Sequence, residues 1–237
     1  MSFLIYNVFY FPERVAIGSL EHITPIIIAS IFCVSFIRIS RHKFSKKQQI
    51  KAIQIFAIII SSIVITFHIH KLSTGTYNIS LDLPLFLCSF LGIVIPLFAY
   101  YRKYWMYEIL FFWIVAGTFQ GVITPDIPLG FPTFDYFRYW TVHLGLLIVM
   151  FYFTFVLNMR PTLNSVFKSF LALQVYVVVL IGINYILKAN YLYLNKKPDS
   201  ASLLDYFGDW PYYILVVQII IIPYFLLIYL PFYLTKK

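Results

Sequence analysis

The chain has 237 residues, of which 61% are apolar, 11% charged and 21% aromatic, with a formal net charge of +9. Soluble domains carry about a quarter charged residues, so this balance excludes an ordinary water-soluble globule and points to lipid as the solvent. The excess Lys and Arg lies between apolar runs, where it orients helices in a membrane, and it is no sign of a nucleic-acid partner.

Residues 1–19 read as an interfacial segment. The apolar stretch Met1–Phe11 is too short to span, and it has neither a basic n-region nor a small-residue cleavage site. Residues 20–237 form one transmembrane domain. Apolar runs near the ~20 residues that cross about 30 Å of hydrocarbon recur along it. They predict an all-α polytopic membrane protein, a bundle of seven transmembrane helices. The spans fall at about 20–39, 50–70, 83–100, 104–123, 136–157, 166–187 and 211–234.

The connections carry the polar information. A basic block from Arg38 to Lys51 follows the first span, and His68-Ile-His70-Lys71 ends the second. Asp82 precedes the third, where Pro84 suits a first helical turn and Pro96 a kink. A Pro- and Gly-rich loop, Thr124–Pro132, follows the fourth. The longest loop, Lys188–Asp209, joins the last two spans. Loops after spans one, three and five, with the C-terminus, hold twelve of the 18 Lys and Arg residues. This bias predicts a cytoplasmic C-terminus and an N-terminus outside.

Polar groups inside spans are costly and are functional candidates by default. Here they gather at the outer helix ends: His22, His68, His70, Asp82, Cys88, Ser89, Thr124, Asp126, His143, Asn184 and Asn190. Cys88, roughly 8 Å below the expected start of its span, and His143, roughly 10 Å below its own, share one depth. A thiol needs a base to become a thiolate, and a carboxylate can orient that base. Cys88 as nucleophile, His143 as base and Asp126, or alternatively Asp82, as orienting acid would meet those needs. His68, His70, Thr124, Asn184 and Asn190 would line the substrate site. His68 and His70 lie on different faces of a helix, so they form no i, i+4 metal pair; a site assembled from His68 or His70, His143 and Asp126 is the lesser alternative, and no metal is expected. Cys33 lies near mid-membrane, so a disulfide to Cys88 is not expected. A lone membrane Cys also packs as a small hydrophobe, and Asn184 also serves as a helix–helix hydrogen-bond former.

Several stretches together carry a family resemblance. They are Leu83-Pro-Leu-Phe-Leu-Cys88, Gly121-Val-Ile-Thr-Pro-Asp126, His143-Leu-Gly145, Asn190-Tyr-Leu-Tyr-Leu-Asn-Lys-Lys-Pro198, Ser202-Leu-Leu-Asp205 and Trp210-Pro211. Their order and spacing resemble the YwaF-like bacterial integral membrane proteins. That family is distantly similar to a vertebrate cysteine-dependent acyltransferase of ether-phospholipid remodelling. It is also distantly similar to the androgen-induced-gene-type hydrolases, which use a threonine and a histidine. The resemblance implies a multi-pass protein of a bacterial cell membrane, with Cys88 at the nucleophile position and His143 at the histidine. The chain departs from the pattern at Phe86 and Ser89, where polar partners of the cysteine are expected.

The expected function is a membrane lipid acyltransferase or esterase acting on acyl chains in the outer leaflet. Its partners would be membrane lipids, as acyl donor and acceptor, with no cofactor. The alternative is a transporter, or a non-catalytic binding or assembly protein, with an outward-facing polar cavity.

Overall fold

The computed structural model describes residues 14–199 and 201–235. Most of the expected interfacial segment, residues 1–13, lies outside the described residues. Among the described residues, seven helices carry the fold: α1 (Leu20–Lys43), α2 (Lys46–Ser73), α3 (Leu87–Tyr101), α4 (Tyr104–Ile123), α5 (Phe134–Phe155), α6 (Leu163–Leu187) and α7 (Tyr212–Leu234). No strand occurs among the described residues. Six of these helices are long and apolar enough to cross a membrane.

The exception is α3. At 15 residues it is about 22 Å long, short of a ~30 Å hydrocarbon core. The expected start at Leu83 is therefore corrected to Leu87, and Pro84 stands in a turn ahead of the helix. The cause is tertiary. Tyr176 donates its hydroxyl to the Leu85 carbonyl (2.7 Å), and the Leu83 N–H donates to the Tyr191 hydroxyl (3.0 Å). Backbone groups that a helix would have paired are satisfied by phenols from elsewhere in the chain.

Other boundaries move for local reasons. The expected basic loop after the first span is mostly helix, because α1 runs on through Arg38, Arg41 and His42 to Lys43. Long cationic side chains extend their heads to water from a helix end and favour its C-terminal dipole. Only Phe44 and Ser45 separate α1 from α2, and Ser45 with Gln48 forms a capping box. Thr162 and Ser165 do the same for α6. Pro211 is the residue before α7, not its first helical residue. Within α4, Trp113–Thr118 is π-helical.

Helix α5 is the interior post of the bundle. It packs against α1, α2, α3 and the π-helical part of α4, while α6 and α7 lie on the far side of α4. Glycine makes the closest crossings possible. A Cβ on Gly145 would fall 2.8 Å from Ile60, and one on Gly92 would fall 2.9 Å from Val64. Small residues at such contacts let membrane helices approach. Helices α1, α2, α6 and α7 turn Ile, Leu, Val and Phe outward, as lipid-facing surfaces do. At the Lys/Arg-rich end, the buried Glu108 accepts from Ser165 (2.9 Å) and pairs with Lys168 (2.8 Å).

Candidate active site

The short α3 decides where Cys88 sits. The thiol belongs to the second residue of the helix, not to a position more than a turn inside it. Phe86, the N-cap, supplies no side-chain hydrogen bond. The first-turn N–H groups of Leu87, Cys88 and Ser89 have no intrahelical acceptor, and the positive end of the helix dipole points at the thiol.

The half-buried Cys88 lies near the His143 imidazole, with the Ser89 hydroxyl and the Arg138 guanidinium also in its surroundings. His143 is buried on α5. Its Nδ1 lies 2.8 Å from the Tyr139 carbonyl one turn earlier. A carbonyl only accepts, so the neutral ring carries its proton on Nδ1 and leaves the Nε2 lone pair free. The Tyr139 ring stacks on the imidazole with centroids 3.9 Å apart. On the other side the imidazole rests against Gly121, where a Cβ would fall 2.7 Å from Cδ2 and 2.8 Å from Nε2.

Asp126 does not reach the imidazole. Its carboxylate pairs with Arg14 and accepts from the Tyr193 hydroxyl (3.2 Å). Its connection to His143 runs through Tyr139, whose hydroxyl accepts from the Asp126 N–H (3.3 Å) and donates to the Gly121 carbonyl (2.8 Å). The orienting group for the imidazole is thus a backbone carbonyl, where the sequence suggested a carboxylate. Asp82 is likewise occupied, by Lys71 and the Asn78 N–H.

The other sequence candidates make these contacts. Thr124 bonds back to Gln120 at the end of α4. Asn184 holds the Tyr191 backbone by both N–H (2.8 Å) and carbonyl (2.9 Å). Asn190 ties its own loop to Asn195 and Lys196. His70 is exposed. His68 is half-buried and tilted against Tyr77, with both ring nitrogens buried and without a hydrogen-bond partner among the described residues. His22 is fully engaged, accepting from Gly18 N–H at Nδ1 and therefore donating from Nε2 to the Val122 carbonyl.

The missed residues are tyrosines. Tyr139, Tyr176 and Tyr193 all lie in the surroundings of Cys88. Tyr139 was detectable as the i−4 neighbour of His143 on one helix face. Tyr193 was not. It comes from the long loop, packs on Phe86 (5.4 Å between centroids), and sits with Leu192 at positive φ. Adjacent left-handed non-glycine residues are costly, and they persist only where the surroundings fix them. Here Asn184 holds one flank, and the Tyr213 hydroxyl holds the Tyr193 carbonyl. Burial, then the Asp126 charge, pushes the Tyr193 phenol well above its usual range.

The fold defines a multi-pass helical membrane protein. The chain belongs to the TMEM164 family, whose sequence profile matches residues 17–229. No curated protein and no solved structure matches it.

Proposed function

We propose that this protein is a thiol-dependent lipid acyltransferase, with Cys88 as nucleophile and His143 as general base. What supports this reading most is a buried imidazole near the thiol, with Nδ1 held on the Tyr139 carbonyl so that Nε2 is left to take a proton. The implied likeness to cysteine-dependent lipid acyltransferases supports it. So does the apolar surround, which suits an acyl ester better than a water-soluble substrate.

Nε2 takes the thiol proton, and the thiolate sulfur attacks the ester carbonyl carbon of a membrane lipid. The carbonyl oxygen gains the negative charge, and in this reading the uncapped first-turn N–H groups of α3 stabilise it. Collapse breaks the C–O bond. The imidazolium returns its proton to the leaving alkoxide, and the acyl group remains on sulfur as a thioester. A lipid hydroxyl then gives its proton to Nε2, attacks the thioester and restores the thiol. Water in place of that hydroxyl makes the same site an esterase. On the orientation expected from the Lys/Arg bias, the site faces the outer leaflet.

The test is intact-mass labelling in lipid with an acyl-chain chloroacetamide probe. Wild type acquires one adduct on Cys88, Cys88→Ala none, and His143→Ala at least tenfold more slowly. Equal labelling with and without His143 would overturn the pair and favour a binding or transport role.

A further inference from the structure

A second feature lies at the opposite end of α5 from His143. A cavity of about 650 Å³ separates the C-terminal half of α1 from α5. Its apolar walls are Val34 and Ile37 on α1 and Phe151 and Phe155 on α5. Arg38, Arg41 and His42 line its other end. Phe151 is eight residues beyond His143, about 12 Å along the helix, so this cavity is separate from the thiol site.

Two observations bear on what would fit it. The first is charge. Arg38 and Arg41 are exposed, and among the described residues no ion pair or side-chain hydrogen bond engages them, as is also true of Lys43, Lys46 and Lys47 at this end; what distinguishes the two arginines is their place on the cavity. Two unpaired guanidiniums on neighbouring turns, with an imidazole beside them, match the bidentate needs of a phosphate. The second is depth. The α1 residues on the cavity run from Ser30 to His42, about 18 Å of helix. That is close to half the ~30 Å hydrocarbon thickness, the depth of one leaflet. The apolar walls lie toward mid-membrane and the cations toward water.

We infer that the groove between α1 and α5 holds one anionic diacyl phospholipid, its phosphate on Arg38 and Arg41 and an acyl chain between Val34 and the two phenylalanines. The lipid comes from the leaflet at the Lys/Arg-rich end of the bundle. It supplies contacts that α1, the least buried of the long helices, lacks along this face. Helix α1 also carries His22, which holds the Val122 carbonyl beside Gly121, so the lipid steadies a helix that touches the thiol site at its other end. This inference does not depend on Cys88 being a nucleophile.

Native mass spectrometry of the full chain, titrated with phosphatidylglycerol or phosphatidylcholine, tests it. Wild type retains one phosphatidylglycerol, at least tenfold more tightly than phosphatidylcholine. Arg38→Gln with Arg41→Gln weakens that retention about 30-fold, at the usual gain per cation near an anionic lipid. Val34→Trp blocks the groove with its charges intact and gives a similar loss. Val34 is 67% exposed, so that substitution leaves the core alone and decides the matter should the arginine variant not fold. Lys46→Gln with Lys47→Gln removes equal charge at the same end and changes nothing. Undiminished retention in Val34→Trp, or an equal loss in the lysine variant, overturns the groove in favour of diffuse attraction.

Discussion

Tyr139 holds His143 in two ways: its ring lies 20° from parallel to the imidazole at 3.9 Å, and its carbonyl takes the Nδ1 proton at 2.8 Å. The two functions separate under mutation. Tyr139→Phe keeps ring and carbonyl but loses the hydroxyl bonds to Gly121 and Asp126. It should cost about 1–3 kcal/mol of stability and lower the Cys88 labelling rate less than tenfold. Tyr139→Ala also loses the stack, and labelling should approach that of His143→Ala. Labelling kinetics beside thermal unfolding distinguish the two.

Gly121→Ala places a methyl within 3 Å of the His143 ring, whereas Gly182→Ala meets nothing within 4 Å. The first should displace the imidazole and slow labelling by about two orders of magnitude, the scale typical of losing general-base assistance. The second should leave the rate unchanged. Both proteins should insert and fold, as judged by size-exclusion profile and helical circular dichroism.

Asn184→Ala strips the paired bonds from the Tyr191 backbone and leaves buried groups unsatisfied, at a cost of about 2–4 kcal/mol. The long loop should then become a site of limited proteolysis, which wild type resists. Labelling should fall with it, because Tyr191 also supports the chain before α3.

At the other end, Lys168→Ala leaves Glu108 buried with Ser165 as its remaining partner, whereas Glu108→Gln frees a lysine that is already 55% exposed. The lysine substitution should therefore be the more damaging, by about 1–2 kcal/mol after allowing for solvent screening. Thermal denaturation of both variants in one detergent checks the order.

The raised Tyr193 phenol gives a pH signature. Its folded ionisation lies above that of the unfolded chain, near 10. The stabilising hydrogen bond to Asp126 is therefore fully present below about pH 10 and is lost as alkali approaches the folded value. Ultraviolet titration should show Tyr193 protonated while exposed tyrosines ionise, and Tyr193→Phe should remove only a late-titrating group.

The helices were largely legible because hydrocarbon demands long apolar runs, and the charges between those runs mark their ends. The similar depth of Cys88 and His143 could be read for the same reason, since depth along a span can be counted in residues; whether the two side chains meet could not. The start of α3 was not. Pro84 fits the first turn of a helix as well as it fits a turn ahead of one, and the phenols that decide between them lie about 90 to 110 positions later. The π-helical segment, a feature often found beside functional sites, left no compositional mark. Asp126 was misplaced as the orienting group because proximity in a loop cannot say which acceptor an imidazole will choose. Local backbone offered one only four residues away.

Those distant phenols also impose an order on assembly. When the third helix leaves the ribosome, the partners of Leu83 and Leu85 have not been made, so the stretch before Cys88 has no reason to stop short of helix. Only after α6 and the turn beyond it have been synthesised can Tyr176 and Tyr191 claim those backbone groups and bring the thiol to a helix start. Partly translated chains would therefore carry Cys88 and His143 without a formed thiol site, and competence would arrive with the last third of the polypeptide.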